Sequence, residues 1–168
     1  FNPPIGVSVE LQTGLRRLLA PNPSPMTFRG TNTYLLGISD IAVIDPGPND
    51  ERHLTNIFKC LERGQQITHI LLTHSHIDHS PLAKKLSELT GAKIYAYGPT
   101  GAGQSPVMHD LLKSGYTGGG EGRDEDFKPN VCLDEGVIID VAREPLEVIY
   151  TPGPVSYTHL TLPTIVRV

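Results

Sequence analysis

The sequence predicts a layered α/β sandwich, and three observations carry that prediction. Short β-branched apolar runs alternate with helical patterns, giving two successive strand–helix–strand units between Ile41 and Tyr97. Seventeen Gly and fifteen Pro among 168 residues break the chain into short elements joined by loops. With 38% apolar and 19% charged residues the composition is that of an ordinary globular protein, and the length suits one core rather than two.

Residues 1–14 alternate weakly and are rich in Pro and Gly, which suits at most a fraying edge strand. Leu15–Ala20 reads as a strand entering the sheet, and the prolines of the next five residues make a surface loop. Residues 26–37 pass from polar loop to apolar strand, with Gly30–Thr33 as either a turn or a substrate contact. Ile41–Asp45 is a strand of hairpin-partner type, stopped by Pro46-Gly47-Pro48. An Asp at the end of a buried strand seldom lacks partners. Asn49 or Asp50 caps a helix running to about Arg63 and stopping at Gly64. Its apolar face is Leu54, Ile57, Phe58 and Leu61, spaced i, i+3, i+4 and i+7; His53 lies off that face and is expected in solvent.

Ile67–Thr73 is short, apolar and β-branched, hence a buried strand, with His69 structural or edge-exposed. Ser80 is the expected N-cap of the second helix and Pro81 its first residue. Leu82, Leu86 and Leu89 form its buried stripe, Lys84, Lys85 and Glu88 face solvent, and Gly91 ends it before a strand at Lys93–Tyr97. Residues 98–129 read as loop with a helical turn over Val107–Lys113. Gly118–Gly122 lacks the Lys-Ser/Thr ending and the preceding strand of a phosphate-binding loop, so it reads as flexible. Asp124–Asp126 reads as a solvated acidic turn and His109 as a surface histidine. Val131–Leu133, Val137–Val141 and Leu146–Tyr150 supply further strands.

Between the second strand and second helix of this scheme stands His74-Ser75-His76-Ile77-Asp78-His79, three imidazoles and a carboxylate within six residues. Such a cluster is costly unless its lone pairs are shared, most simply by a metal ion. A strand-to-helix loop at the end of a sheet lets side chains converge from a rigid base. His74 and His76, two residues apart, can point the same way and share one cation, while Asp78 and His79 turn toward a second. Imidazole nitrogen with carboxylate oxygen suits zinc best, with manganese or iron possible.

The run His74-x-His76-x-Asp78-His79 resembles the signature of the metallo-β-lactamase fold hydrolases. Asn22-Pro23-Ser24-Pro25-Met26-Thr27 followed by Gly30-Thr31-Asn32-Thr33-Tyr34-Leu35 is similar to the β-lactamase-like protein 2 branch and its bacterial relatives. The resemblance implies the N-terminal half of a four-layer αββα sandwich and two zinc ions, with His74, His76, Asp78 and His79 as metal ligands. It implies that Asp78 is also catalytic, orienting a metal-bridging hydroxide, and that Asp45 supports the histidine loop from behind. The implied reaction is hydrolysis of a small-molecule or RNA substrate: a phosphodiester, a thioester, or a lactam or lactone.

In that family Thr-Pro-Gly precedes a histidine, whereas Thr151-Pro152-Gly153 here meets Pro154. Residues 1–153 are therefore expected to form a partial domain and 154–168 a non-native tail. The third histidine, the bridging aspartate and the late histidine of the family are unmatched, and His159 is not expected to replace them. One face of the sheet is expected to lie exposed. A catalytically inactive fragment and a non-enzymatic module that keeps the fold are the alternatives to a hydrolase.

Composition limits the remaining classes. The formal charge is −4, from 14 basic and 18 acidic residues, which argues against a broad nucleic-acid surface. Cys60 and Cys132 lie far apart and form no C-x-x-C pair, so a disulfide framework is not expected and a reducing, cytoplasmic setting is. No run of about 18 apolar residues exists to span a membrane. The chain begins at Phe1, and its N-terminus is expected to be incomplete. Oligomeric state is not legible.

Overall fold

A computed structural model describes residues 3–103, 106–115, 122–141 and 144–152, with the backbone of 160–161 and 164–165. Expectations for Gly118–Glu121, the His109 side chain, His159 and most of the tail from Pro154 fall outside the described residues.

The fold is mixed α/β, built on a 7-stranded sheet whose strands lie in chain order. These are β1 (Val9–Gln12), β2 (Leu15–Leu19), β3 (Asn32–Leu36), β4 (Asp40–Ile44), β5 (Gln66–Leu71), β6 (Lys93–Ala96) and β7 (Val131–Cys132). The first four pair antiparallel, with short connections from β1 to β2 and from β3 to β4 and a longer loop, residues 20–31, from β2 to β3. From β4 onward the pairs are parallel. Helix α1 (Glu51–Lys59) makes the first crossover and α2 (Leu82–Thr90) the second, so β4 and β5 end at the same sheet edge. A third helix, α3, covers Pro106–Lys113.

Period-two alternation sorts the sheet's side chains into two cores. Leu35, Ile41, Val43 and Ile70 face Leu54 and Ile57 of α1 and Leu82, Ala83 and Leu86 of α2. Leu36, Ala42 and Leu71 face the other way, under Val141 and Leu146. These two belong to a hairpin of β8 (Ile138–Val141) and β9 (Glu144–Val148). That face is thus covered where bareness was expected: Val141 and Leu146 are both fully buried. Each buried Leu on this scaffold contributes roughly 2 kcal/mol by removal from water.

Several local expectations are corrected. Asp50 does cap α1, its carboxylate accepting from the Arg52 and His53 amides. The helix ends at Lys59, short of Arg63, and the Arg16 guanidinium from β2 donates to the Cys60 carbonyl at 2.5 Å, satisfying a terminal acceptor. The buried side of α1 is therefore His53, Leu54 and Ile57, while Phe58 is exposed. On α2 the stripe is Leu82, Ala83 and Leu86, and Leu89 is 59% exposed. Ser80 does not cap α2 with its side chain; the hydroxyl is turned toward the preceding loop, and Pro81 stands at the cap position. His69 is half-buried on a central strand, tilted against Tyr95, with ring centroids 5.3 Å apart.

Candidate metal centre

The His74–His79 loop leaves β5 at the shared edge, where β4 ends in Asp45. The Asp45 amide donates to the Leu71 carbonyl at 2.9 Å, joining the two strand ends. The next turn brings the Asp45 side chain back over the loop, with φ at 50°, a left-handed conformation that Asp tolerates better than most residues. The carboxylate, 5% exposed, accepts from the Thr73 amide at 2.8 Å and the Thr73 hydroxyl at 2.7 Å, and pairs with His79 Nδ1 at 2.9 Å.

These bonds fix the state of two rings. The Thr73 hydroxyl gives its single proton to Asp45, so at its 2.9 Å contact with His74 Nδ1 it accepts. His74 is then protonated on Nδ1, and its lone pair sits on Nε2. His79 likewise donates from Nδ1 to Asp45 and sets Nε2 3.1 Å from Asp78 Oδ2. One carboxylate thereby governs two imidazoles, the arrangement by which metal-binding histidines are oriented elsewhere.

Ligating atoms of His74, His76 and Asp78 all lie within 4.8 Å of one another. The His74 ring centroid is 4.6 Å from that of His76 and 4.2 Å from that of His79. Of the four residues singled out by their spacing, three thus converge as one group, while His79 stands beside it between Asp45 and Asp78. The donor set fits a divalent ion: imidazole nitrogens and a carboxylate at close range, with orienting partners in place. Burial disfavours charge on Asp78, but His79 and the Thr31 hydroxyl hold its carboxyl well below the usual carboxylate range. Burial likewise opposes the imidazolium of His79, yet Asp45 and Asp78 outweigh it and raise the group to about 9.

The β2–β3 connection approaches from one side. Thr31 Oγ1 donates to Asp78 Oδ2 at 2.8 Å, and Asn22 holds Thr31 by accepting from its amide at 2.9 Å and donating to its hydroxyl at 3.1 Å. Gly30 makes this approach possible: a Cβ there would lie 2.1 Å from the Ala20 carbonyl oxygen. From the other side, residues 122–124 back the loop. The Ile77 amide donates to the Gly122 carbonyl at 3.2 Å and the Asp124 amide to the Ser75 carbonyl at 2.8 Å. The Ser80 hydroxyl lies 3.0 Å from Asp124 Oδ2 and 3.2 Å from the His76 carbonyl. Asp124 is therefore half-buried and structural, not part of a solvated turn.

His53, expected in solvent, is fully buried beneath this site. Its Nε2 lies 2.8 Å from Thr33 Oγ1, whose proton goes to the Asp45 carbonyl at 2.7 Å. Burial pushes its pKa down to about 4. The residues that spacing did not single out are Asn22, Thr31, Thr33, His53 and Asp124. Asn22, Thr31 and Thr33 are uncharged polar residues on a loop or strand start, Asp124 stands in an acidic run, and only a wider buried face of α1, reaching one position before Leu54, would have exposed His53.

Among the described residues no helix is long and apolar enough to cross a membrane. The chain is 37% identical over 100 residues to a beta-lactamase-like protein 2 homolog of Drosophila melanogaster, an alignment covering 55% of this chain and 34% of that protein. It is 36% identical over 80 residues to an atrochrysone carboxyl ACP thioesterase of Pseudocercospora fijiensis, covering 46% of this chain and 24% of that one. A beta-lactamase domain protein from Burkholderia ambifaria superposes with a TM-score of 0.62 at 22% identity, over 90% of this chain and 51% of its own. This chain thus spans about a third or less of the curated relatives it matches and about half of that structure. The family model for the metallo-beta-lactamase superfamily matches residues 26–159, most of the sequence, and the chain belongs to that superfamily.

Proposed function

We propose that the chain carries part of a metal-dependent hydrolase site, with His74, His76 and Asp78 as ligands of one zinc ion and His79 with Asp78 as ligands of a second. The observation that supports this is the convergence of three ligating atoms within 4.8 Å on a loop held from both sides. Zinc is preferred to manganese or iron on the nitrogen-rich donor set. When bound, such ions polarise a carbonyl or phosphoryl oxygen and bring the pKa of water toward neutrality. The chain's own residues do the rest. Asp45 fixes His74 and His79 in the tautomer that presents Nε2. Thr31 turns the Asp78 carboxylate, and Asp78, as the catalytic residue, accepts a hydrogen bond from the attacking water and orients it.

An acyl thioester is the favoured substrate, ahead of an RNA phosphodiester and a lactam or lactone. The thioesterase name of one relative and the net charge of −4, which does not attract a polyanion, support that order. The unpaired thiols of Cys60 and Cys132 suit a cytoplasmic setting. A second reading has its own observation: Pro154 follows Thr151-Pro152-Gly153 where a histidine would complete the site, so the chain as it stands binds metal without turnover.

Two measurements separate these. The purified chain, which supplies three ligands to the first ion but only two to the second, should bind about one zinc per molecule, and His76→Ala and Asp78→Ala should each weaken binding at least about tenfold. Unchanged zinc content in both variants would refute the ligand assignment. The zinc-loaded protein is then offered an acyl thioester, single-stranded RNA, a β-lactam and a lactone. Thioester turnover lost in Asp78→Ala supports the hydrolase; metal binding with no turnover on any of the four leaves the inactive fragment.

A further inference from the structure

His53 is the buried titratable group that the hydrolase chemistry leaves unused. It sits in the first turn of α1, fully buried, with its ring against Gly47. A Cβ on Gly47 would lie 3.0 Å from His53 Cδ2, so the ring occupies the space that a larger residue would need. Its Nε2 faces the Thr33 hydroxyl at 2.8 Å. That hydroxyl lies 2.7 Å from the Asp45 carbonyl, and a carbonyl oxygen only accepts, so the one hydroxyl proton is committed there. Thr33 must therefore accept from His53 Nε2–H. The other ring nitrogen, Nδ1, is buried with no hydrogen-bond partner among the described residues. Burying a nitrogen unpaired is unfavourable, so apolar packing alone does not account for a histidine at this position.

The far end of the chain of bonds is Asp45, held at φ 50° immediately before Pro46. A non-glycine residue seldom adopts that conformation, and a following proline restricts the backbone further. The same turn aims the Asp45 carboxylate at Thr73 and His79. We propose that His53 is a positioning residue of the metal centre: through Thr33 it pins the Asp45 carbonyl, and with it the left-handed turn that sets His74 and His79. It touches neither ring and acts through two hydrogen bonds that end at Asp45.

The affinity arm of the test rests on the metal-binding reading of the His74–His79 loop; the spectroscopic arm does not. On the unaltered metal-free chain, nitrogen-15 NMR should find His53 as the Nε2–H tautomer and His79 Nδ1–H in a strong hydrogen bond. An Nδ1–H tautomer at His53 overturns the proposal. Cobalt(II) affinity is then measured by competition with a chromophoric chelator. His53→Leu and Thr33→Val should each weaken it about tenfold, and the double variant should be no worse than either. His53→Gln, whose amide can supply the same donor, should stay within about twofold of the unaltered chain.

Folded Leu and Val variants with unchanged cobalt affinity and an unchanged His79 Nδ1–H signal would reduce His53 to a packing residue and sink the idea. So would a Gln variant as weak as the Leu variant. If the unaltered chain takes no cobalt, the metal reading fails instead. The proposal then stands or falls on the His53 tautomer and on loss of the His79 signal in Thr33→Val.

Discussion

A fully buried histidine and a half-buried one flank the Asp45–Gly47 turn, and burial acts on both in the same direction, yet their ionisation moves in opposite ones. His53 packs against Gly47 and is pushed down to about 4; His79, whose carbonyl accepts the Gly47 amide at 2.9 Å, is raised to about 9. His53 meets only a neutral hydroxyl, whereas His79 lies between the carboxylates of Asp45 and Asp78. Partner charge, not depth, decides which imidazole carries a proton. One residue serves both sides: Asp45 offers its carbonyl toward His53 and its carboxylate toward His79.

Removing that residue should break the comparison most completely. Asp45→Ala leaves the Thr73 amide, the Thr73 hydroxyl and His79 Nδ1–H without their acceptor. Urea unfolding should record a loss of 3–5 kcal/mol, roughly what breaking a buried charged pair costs. An NMR titration of the same variant should find His79 well below 9, because one of its two anions is gone.

Acid and base should act on the two histidines separately. His53 has a folded pKa below its unfolded value of about 6.5, so its contribution is complete above pH 6.5 and is lost as pH falls toward 4. His79 has a folded pKa above that value, so its contribution is complete below pH 6.5 and is lost as pH rises through 9. Asp78 enters only below about pH 4, where its carboxyl would begin to titrate in the unfolded chain. Stability of the metal-free chain should therefore peak near pH 6.5, each limb falling by about 3 kcal/mol. His53→Gln should flatten the acid limb and leave the alkaline one. A curve still rising from pH 6.5 to 9 would contradict the His79 environment.

Gly47→Ala tests the wall between the rings. With φ at +95° and the His53 ring 3.0 Å from the new methyl, the substitution should cost about 2 kcal/mol in the same unfolding assay. Thr31→Val should have the smallest effect, about 1 kcal/mol, because it removes only the two part-buried hydrogen bonds of one hydroxyl, to Asp78 and from Asn22. It should also leave the fall between pH 6.5 and 4 unchanged, since Thr31 does not face His53.

The fold was legible where periodicity and punctuation agree. The β4–α1–β5–α2–β6 succession follows from β-branched runs bounded by Pro, Gly and helix caps, and Gly91 marks the end of α2 correctly. Spacing alone brought out His74, His76 and Asp78. What sequence could not carry was contact between distant segments. Nothing local to Arg16 says that it closes the end of α1, and nothing local to Asn22 says that it holds Thr31 against Asp78. The His53 error is of a different kind. Leu54, Ile57 and Leu61 of the expected stripe do pack on the core, but the buried face extends to the His53 side of Leu54 and Ile57 rather than to the Phe58 side.

Gly30 carries a consequence for how variation at this site would be read. A methyl group there would lie 2.1 Å from the Ala20 carbonyl oxygen, so every substitution forces the β2–β3 loop apart and draws Thr31 away from Asp78. A saturation screen would score position 30 as intolerant as a metal ligand, although it has no side chain to offer. The screen would in effect be measuring a distance between two backbones. Ala20, whose carbonyl sets that distance, would answer in the same data only through its fully buried side chain, because every amino acid supplies the carbonyl.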